Sequence, residues 1–491
     1  MPGHMAEDGL IPVGAMLIGD ERVSDSSGGT HAHVFAATGE TNARVALAGA
    51  AEIERAVSAA WRAQREWMGL GVERRRDLLL ALADAVESEL DSLVRLSVQD
   101  NAVPVSVSAL QPATLVRYLR YYAGWVDKGH GQSVPGTAPS DVNLVEREPY
   151  GVVGVIIPWN GPLFQIGMNV VPALAAGNAV VLKPSELAPL TSLRFGELCR
   201  EAGLPPGLLS VAPGGAEAGE ALVRHPGIRK IHFTGSTATA RRIHAVAAEN
   251  LTPVATELGG KAANLVFADA DLDQAAQLAA LSGPLGLSGQ SCAAGNRILV
   301  QDTVYDEFAE RFLTVVRNAA MGDPFAETTL VGPVISEAAA DKILGVVEDA
   351  VRSKSGRLLA GGKRADGKLA AGFYVEPTVF AEVDTGSALG REEVFGPVAS
   401  LIRFTAEDEA VAIANDTRFG LVNYVNTTDL ARAHRVARQL ESGTVWVNQG
   451  TDIGPTAPYG GYKQSGSGRS GGLEGLHQFQ QVKNIRIGVP A

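Results

Sequence analysis

Cys292 lies in the stretch LSGQSCAAGNR, where small residues surround it and no bulky side chain shields it. A free thiol has a pKa of about 8.5, so only a few per cent is thiolate at neutral pH. The nearest histidines along the chain are His244 and His434, so no neighbouring imidazole can take the proton. If Cys292 is a nucleophile, its base must come from another part of the fold.

Glu257 and Asn160 are candidates to act with this thiol, because each follows a predicted β-strand. A carboxyl group that leaves a buried strand end can have a raised pKa and serve as a general base. A helix cap or a structural ion pair is the alternative for Glu257. The Asn160 amide can form an oxyanion site with the Cys292 backbone N–H, and turn-capping is the alternative.

A second group of residues suits a nucleotide. Thr234-Gly235-Ser236 opens a predicted helix, where free backbone N–H groups and the helix dipole favour phosphate. Lys183 and Glu186 follow another predicted strand and can clasp an adenosine ribose.

The elements that position these residues form an alternating pattern. Apolar, β-branched runs predict strands at 151–157, 178–183, 208–212, 230–235 and 252–258, with helices between them at 162–176, 190–202, 216–224 and 237–249. Alternation of this kind predicts a parallel, doubly wound sheet, whose ligands bind beyond the carboxyl ends of its strands. The candidate residues at positions 160, 183, 186, 234–236 and 257 all follow such ends.

A second α/β block follows, from a strand at 263–267 to a strand at 443–449, and Cys292 lies near its start. Ahead of the first block, apolar residues recur at helical spacing from Glu52 to Trp67 and from Glu73 to Val98, which predicts core-facing helices. Residues 128–149 and the tail from about 476 are instead predicted to be extended chain.

Composition narrows the class of protein. A chain of 491 residues with 46% apolar and 20% charged residues predicts two or three ordinary globular domains. The net charge of −12 argues against nucleic acid or an anionic membrane as the main partner. With only two cysteines, no signal peptide and no apolar run of spanning length in the sequence, we expect a cytoplasmic protein in a reducing compartment.

Two motifs imitate ligand sites. GSGRSG at 466–471 matches G-x-G-x-x-G, but it follows a Tyr-Lys-Gln loop instead of a strand, so we do not expect it to bind phosphate. The acidic run from Asp269 to Asp273 resembles half of a calcium loop, yet Gln274 and Ala280 replace the turn glycine and the bidentate acid. No metal is predicted.

A series of motifs resembles the aldehyde dehydrogenase superfamily, in the family's order and over nearly the whole chain. They are PWNGPL (158–163), LKPSE (182–186), FTGST (233–237), ELGGK (257–261), GQSC (289–292), EVFGPV (393–398), NDTRFG (415–420) and PYGGYKQSG (458–466). The resemblance is to the NAD(P)-dependent, non-acylating type. It implies an α/β fold with a Rossmann-type parallel-sheet cofactor domain, a second α/β catalytic domain and a β oligomerisation arm.

The domain boundaries that the resemblance implies are as follows. Residues 1–127 and 150–258 would form the NAD-binding domain, 259–459 the catalytic domain, 128–149 and 476–491 the oligomerisation arm, and 460–475 a connecting segment. Such an arm predicts a homodimer or a homotetramer.

The resemblance also implies catalytic roles. Cys292 would attack the aldehyde to give a thiohemiacetal, and Asn160 with the Cys292 N–H would stabilise its oxyanion. Glu257 would activate water to hydrolyse the thioester and can also take the proton of the thiol. Asn169 and Ser470 stand where many members carry a lysine and a glutamate, which leaves Glu257 as the main base.

The implied cofactor is NAD, with NADP possible as an alternative. Glu186 favours NAD because a carboxylate accepts from ribose hydroxyls and repels a 2′-phosphate. Glu393 would hold the nicotinamide ribose, Phe395 would lie against the ring, and Ser236 would bind the pyrophosphate. The full expected cofactor site comprises Ile157, Pro158, Trp159, Lys183, Ser185, Glu186, Gly215, Phe233, Gly235, Ser236, Leu258, Glu393 and Phe395.

The expected substrate is a medium-sized apolar or aromatic aldehyde. Gly161 stands where the family often has phenylalanine, which widens the pocket, and no arginine flanks Cys292 to clamp a carboxylate. The expected pocket comprises Gly161, Phe164, Met168, Ser291, Ala293 and Tyr459. Two alternatives remain: a CoA-acylating semialdehyde dehydrogenase, which needs no water-activating acid, and a homologue that has lost catalysis.

Overall fold

The computed structural model describes residues 14–137 and 141–488, so the ends of the predicted ranges 1–127 and 476–491, and part of 128–149, lie outside it. The first part of the chain contains strands β1 (Met16–Ile18), β2 (Glu21–Val23), β3 (Thr30–Phe35) and β4 (Glu40–Ala46), helices α1 (Ala50–Gly69), α2 (Gly71–Ser88), α3 (Leu90–Asn101), α4 (Val105–Ser108) and α5 (Leu110–Ala123), and strands β5 (Gln132–Ser133) and β6 (Val142–Pro149).

The apolar stripe between Glu73 and Val98 belongs to two helices, not to one continuous helix. α2 and α3 meet at Glu89, whose φ of −113° and ψ of 19° lie outside the helical range. Leu82 of α2 and Leu93 of α3 are nevertheless both fully buried in the same core. The apolar spacing continues because both helices pack against α5.

The first α/β block alternates strand and helix as predicted. It contains β7 (Val152–Ile156), α6 (Pro162–Gln165), α7 (Val171–Ala175), β8 (Ala179–Lys183), α8 (Leu190–Glu201), β9 (Leu209–Val211), α9 (Ala216–Arg224), β10 (Lys230–Thr234), α10 (Thr237–Ala247) and β11 (Val254–Glu257). The helix predicted at 162–176 is interrupted by a π-helical turn, Ile166–Val170, a departure that is frequent at functional sites.

The second α/β block builds a separate sheet. Its elements are β12 (Ala263–Val266), α11 (Leu272–Ala280), β13 (Arg297–Gln301), α12 (Tyr305–Asn318), α13 (Glu337–Arg352), β14 (Arg357–Ala360), β15 (Thr378–Ala381), α14 (Ala388–Arg391), β16 (Val398–Phe404), α15 (Glu407–Asn415), β17 (Val422–Asn426), α16 (Leu430–Gln439) and β18 (Thr444–Val447). Strand order is β14-β15-β16-β13-β12-β17-β18, and all neighbours are parallel except the β14-β15 pair. Apolar clusters cover both faces of this sheet.

The chain then returns to the first sheet through β19 (Gly466–Ser467), α17 (Gly472–His477) and β20 (Gln480–Ile487). The first sheet has the order β19-β11-β10-β7-β8-β9-β1-β2, in which β7 to β11 are parallel and β19 and β1 pair antiparallel to their neighbours. The predicted α/β class is therefore confirmed. β19 lies within GSGRSG, so that motif contains a short strand.

A small antiparallel sheet of order β20-β6-β5 stands apart from the two large sheets. This sheet contains the two segments that the sequence predicts to be extended chain. β20 pairs with β6 along the full length of both strands. Across residues 14–137 and 141–488, no helix is both long and apolar enough to cross a membrane, and no cluster of metal-ligating side chains is found.

Candidate active site

The Cys292 loop reaches its position through strained backbone. Leu287 and Ser288 have φ of 51° and 52°, in the left-handed region that non-glycine residues seldom adopt. The Ser288 hydroxyl donates to the Gly332 carbonyl at 2.8 Å, which holds the turn. A Cβ atom at Gly289 would lie 2.0 Å from the Gly396 carbonyl oxygen, so only glycine permits the two segments to touch there.

The glycines after Glu257 bring a second loop against the first. A Cβ atom at Gly260 would lie 2.4 Å from the Cys292 carbonyl oxygen, and one at Gly259 would lie 2.4 Å from Glu393 Oε2. The Gly260 N–H donates to Glu393 Oε1 at 3.0 Å. The ELGGK, GQSC and EVFGPV motifs therefore meet at one point of the fold because glycine allows each close approach.

The Cys292 thiol is half-buried, and its Sγ lies 3.8 Å from the Tyr459 hydroxyl oxygen. Burial raises the pKa of Cys292 to about 12; the Tyr459 contact opposes this rise, while the negative charges of Glu393 and Glu257 add to it. The thiol is therefore neutral in this arrangement, and its use as a nucleophile requires a base.

Glu257 is the buried acid at the end of β11. Its side chain is only 4% exposed, and Oε2 has no hydrogen-bond partner among the described residues. Burial raises its pKa well above the usual carboxyl value, and Arg469 opposes that rise. A carboxyl group with this environment holds a proton near neutral pH more readily than a surface glutamate, which suits general acid–base work.

Arg469 is a neighbour of Glu257 that the sequence reasoning set aside with GSGRSG. β19 pairs antiparallel with β11, placing Gly466 opposite Glu257. Arg469 donates to the Gly461 carbonyl at 3.1 Å, and its guanidinium lies 5.5 Å from the Tyr462 ring centre. Only this pairing of distant segments reveals that the motif lies beside Glu257.

Asn160 joins the end of β7 to the Cys292 loop. Its Nδ2 donates to the Gln290 carbonyl at 2.9 Å, and the Gln290 side chain accepts from the Ile335 N–H at 2.9 Å. The amide of Asn160 is thus held beside the backbone that leads into Cys292. This geometry supports a donor role near the thiol over simple turn-capping.

A cavity of about 580 Å³ opens at the carboxyl ends of β7, β8 and β10. Ten residues expected at the cofactor line it: Ile157, Pro158, Trp159, Lys183, Ser185, Glu186, Gly215, Phe233, Gly235 and Ser236. The other three lie outside this lining. Leu258 is buried and donates to the Ser465 carbonyl, Glu393 binds the Gly260 N–H, and the Phe395 ring lies edge-on to Trp159 at 5.5 Å.

Charged groups mark one end of the cavity. The Lys183 ammonium donates to the carbonyls of Gly214 and Pro184. Burial lowers the pKa of Lys183 to about 8, and the charge of Glu186 opposes that fall. A Cβ atom at Gly215 would lie 3.9 Å from Glu186 Oε1, an ordinary contact distance, so Gly215 and Glu186 are neighbours in the cavity lining.

Ser236 and the helix α10 mark another edge of the cavity. The Ser236 side chain caps α10 by accepting from the Thr239 N–H at 3.2 Å. The remaining free N–H groups of this helix start, with the dipole of its eleven residues, favour an anion at this edge.

The residues expected at the substrate differ in how far they are buried. Gly161 and Phe164 are half-buried, Met168 is fully buried in the π-helical turn, and Ala293 is buried beside the half-buried Ser291. Tyr459, at 5% exposure, provides the contact with the thiol described above. Met168 therefore has almost no exposed surface with which to contact a substrate.

Asn169 and Ser470 form a buried neutral pair. The Ser470 hydroxyl donates to Asn169 Oδ1 at 2.8 Å, and Asn169 Nδ2 donates to Gln165 Oε1 at 3.1 Å. Neither side chain titrates near neutral pH, so this chain of hydrogen bonds contains no ionisable group to replace Glu257.

The acidic run from Asp269 to Asp273 has structural partners. Asp271 caps α11 by accepting from two backbone N–H groups, and Asp269 accepts from Thr427 and Arg432. The Asp269 and Asp271 carboxylates therefore have protein hydrogen-bond donors as partners.

Comparison with known proteins gives the family. The sequence pattern of the Aldehyde dehydrogenase family matches residues 23–485. The mitochondrial succinate-semialdehyde dehydrogenase of Arabidopsis thaliana is 42% identical over 92% of this chain and 85% of its own length. The crystal structure of PnpE with nicotinamide adenine dinucleotide (TM-score 0.95, 40% identity) covers 98% of both chains. Betaine aldehyde dehydrogenase of Staphylococcus aureus with NAD+ (TM-score 0.94, 36% identity) covers 96% of this chain and 94% of its own.

Proposed function

The chain belongs to the aldehyde dehydrogenase family, and from that premise we propose that it oxidises an aldehyde to the carboxylic acid with NAD as cofactor. The observation that carries this proposal is the convergence of Cys292, Glu257 and Asn160 beside a cavity of about 580 Å³ at the strand ends. A nucleophile, a base, an oxyanion donor and a nucleotide cavity together support redox acyl chemistry.

The described residues fit NAD. Lys183 and Glu186 offer a donor and an acceptor to ribose hydroxyls, and the start of α10 offers N–H groups to the pyrophosphate. Glu393 and Phe395 lie toward the Cys292 loop, where they would hold the nicotinamide end. When bound, NAD supplies the hydride acceptor that lets the thiohemiacetal become a thioester. A carboxylate at Glu186 disfavours the additional phosphate of NADP.

The first step is attack of the Cys292 sulfur on the aldehyde carbonyl. The thiol must lose its proton, and Glu257 would take it, because the charges of Glu393 and Glu257 both act on the thiol and Glu393 already accepts from the Gly260 N–H. The C–S bond forms as the carbonyl oxygen becomes an oxyanion. The Asn160 amide and the Cys292 backbone N–H would donate to that oxygen, and such donors are typically worth ~10²–10³ in rate.

The last step is hydrolysis of the thioester. Glu257 accepts a proton from water, the hydroxide adds to the acyl carbon, and the C–S bond breaks to release the carboxylic acid. The proton then passes from Glu257 to the departing sulfur and restores the thiol. Oε2 of the buried Glu257 has no hydrogen-bond partner among the described residues, so no other group competes for it as the proton acceptor. The same acid disfavours a CoA-acylating enzyme, in which CoA and not water would resolve the thioester.

We propose a medium-sized apolar or aromatic aldehyde as substrate. Phe164 and Tyr459 supply apolar surface, and Gly161 leaves room beside them. Succinic semialdehyde and betaine aldehyde are the substrates that the names of two relatives suggest, so both belong in any test.

The domain ranges predicted from the sequence remain our proposal, supported by the membership of the two large sheets. We also propose that the small sheet is an oligomerisation arm of a homodimer or homotetramer. Among the described residues β20 pairs on one side only, and its Val482 is 61% exposed. Unpaired edges of this kind join between subunits, and light scattering would measure the assembly.

The test of function is a pre-steady-state experiment with NAD and a panel of benzaldehyde, octanal, succinic semialdehyde and betaine aldehyde. We expect a burst of NADH with at least one aldehyde, formation of the free acid without CoA, and loss of the burst in Cys292→Ala. A burst that persists in Cys292→Ala, or product formation that requires CoA, would contradict the proposal.

A further inference from the structure

Two adjacent residues, Tyr459 and Gly460, bring one chain segment against both the proposed nucleophile and the proposed base. The Tyr459 hydroxyl oxygen lies 3.8 Å from the Cys292 Sγ, within hydrogen-bond range for sulfur. A Cβ atom at Gly460 would lie 2.8 Å from Glu257 Oε1, so the next residue along the chain touches the carboxyl group. The position of the hydroxyl is therefore tied to the two groups that exchange a proton in the proposed function.

Backbone hydrogen bonds hold Tyr459 in place. Its N–H donates to the Ser470 carbonyl at 2.6 Å, and the Ser470 N–H donates to the Tyr459 carbonyl at 2.8 Å, as in an antiparallel bridge. The Ser470 hydroxyl donates in turn to the buried Asn169. Because the tyrosine is 5% exposed and its backbone is paired, its hydroxyl loses little further freedom when it binds the sulfur.

The charges around Cys292 oppose its ionisation. Those of Glu393 and Glu257 both raise the pKa of the thiol. Arg469 acts on Glu257, and its guanidinium donates to backbone carbonyls. Within residues 14–137 and 141–488, the Tyr459 hydroxyl is the only side-chain group of another residue within hydrogen-bond distance of the sulfur. The side chains around the sulfur therefore stabilise its anion by a hydrogen bond, while two carboxyl groups oppose it.

Tyr459 can act only as a donor toward a sulfur anion. Burial raises the pKa of Tyr459 well above the usual phenol value, and the charges of Cys292 and Glu257 add to that rise, so the phenol keeps its proton at neutral pH. A thiolate has no proton to give, so the hydroxyl must supply the hydrogen of the bond. Hydrogen bonds to an ionised partner are stronger than those between neutral groups. The contact therefore favours the thiolate over the thiol.

We propose that the Tyr459 hydroxyl donates a hydrogen bond to the Cys292 sulfur as the thiol loses its proton, and so sets the reactivity of this thiol. The inference rests on the proposed function, because it concerns the same nucleophile. In the attack step the proton leaves Sγ for Glu257, the C–S bond forms, and the carbonyl π electrons move to the oxygen. Tyr459 keeps its own proton throughout, and it donates to the sulfur again when the thioester breaks.

The test measures alkylation of the free enzyme by iodoacetamide, which needs neither NAD nor an aldehyde. The reagent forms an S–C bond with the thiolate and releases iodide, so the rate reports the amount and the nucleophilicity of the thiolate. In Tyr459→Phe we expect the rate at neutral pH to fall about 3- to 10-fold, because the thiolate loses one donor. The midpoint of the rate profile should rise by about one pH unit. The rate in Cys292→Ala gives the background from Cys199.

Tyr424→Phe is the matched control. Tyr424 is also a buried phenol beside the Cys292 loop, but its hydroxyl donates to the Ala293 carbonyl at 2.8 Å and contacts the Thr451 hydroxyl at 2.7 Å instead of the sulfur. Its alkylation profile should match that of the wild type. An equal fall of the rate in both variants would show that the loss of any buried hydroxyl disturbs the loop, and it would overturn the proposal.

Turnover separates the sulfur from the substrate as the target of the hydroxyl. Tyr459→Phe should lower kcat/KM for benzaldehyde and octanal by the same factor, since both aldehydes meet the same thiol. An unchanged alkylation rate with reduced kcat/KM would assign the hydroxyl to the oxyanion or the substrate and overturn the proposal. Equal NAD affinity of the wild type and both variants, by fluorescence titration, checks that each is folded. Failure of every aldehyde to reduce NAD would overturn the proposed function, whereas the alkylation rates would still test the hydroxyl.

Discussion

The cofactor side and the thiol side of the site are built in different ways. The cofactor cavity is lined by residues that follow β7, β8 and β10, which are neighbours in one parallel sheet. The thiol side is assembled from loops of both sheets, held together by close contacts at Gly260 and Gly289. Strand ends collect residues by a general rule of parallel sheets, whereas loop contacts depend on individual backbone conformations. Substitutions on the thiol side should therefore lower activity more than substitutions on the cofactor side, because each reacting group there must occupy one position.

The largest effect on the thiol side after loss of Cys292 itself is expected for Glu257→Gln. Glutamine keeps the shape but cannot take a proton, so steady-state turnover should fall by ~10²–10⁴. If Glu257 acts mainly on thioester hydrolysis, rapid-quench measurements should still show the first NADH burst. A turnover rate close to that of the wild type would remove Glu257 from the mechanism.

Asn160→Ala is expected to lower kcat by ~10²–10³, because one donor to the oxyanion is lost. The Asn160 amide also holds the Gln290 carbonyl, so NAD affinity should be measured by fluorescence titration in parallel. Unchanged NAD affinity with reduced kcat would locate the defect at the thiol side. A selective rise in the Kd for NAD would instead assign Asn160 to the cofactor side.

The cofactor side should respond more mildly. In Glu186→Gln, removal of the carboxylate charge should raise kcat/KM for NADP relative to NAD by about 10-fold, because repulsion of the 2′-phosphate is lost. The ratio of the two cofactors, measured with one aldehyde at saturating concentration, tests this expectation. Glu220→Gln is a matched control, since Glu220 also lines the cavity but is paired with Arg242. An equal change in both variants would contradict a specific role for Glu186.

The smallest expected effect is on the pH dependence of folding stability. It reports the burial of Glu257 independently of its catalytic role. The folded-state pKa of Glu257 is raised above its unfolded value, chiefly by burial. Its protonated form therefore adds stability below the unfolded pKa, and this contribution is lost as pH rises toward the folded pKa. Relative to Glu257→Gln, which does not titrate, the wild type should lose stability over that range. Thermal midpoints of both proteins from pH 4 upward would measure the difference, and parallel profiles would contradict the raised pKa.

The two sides also differ in how well their residues could be predicted. The alternation of strands and helices is predictable because β-branched runs and amphipathic spacing are local properties. The predicted helices 190–202 and 216–224 agree closely with α8 and α9 of the structure. The break between α2 and α3 was missed because both helices keep the same buried face. Arg469 was missed because its relation to Glu257 depends on β19 pairing with a strand far away in the sequence.

The residues expected at the substrate were the hardest to predict. Met168 was expected at the pocket surface, but the π-helical turn buries it.

By itself, the sequence determined the α/β class, the order of motifs that identifies the family, and the residue types at Cys292, Glu257 and Asn160. These features are local or linear, so spacing and chemistry suffice to recognise them. Tertiary structure alone decided which loops meet at the thiol, how burial shifts the pKa values of Cys292 and Glu257, and which hydroxyl group contacts the sulfur. The physical reason is that desolvation and hydrogen-bond satisfaction depend on what packs around a group, and those neighbours come from distant parts of the chain.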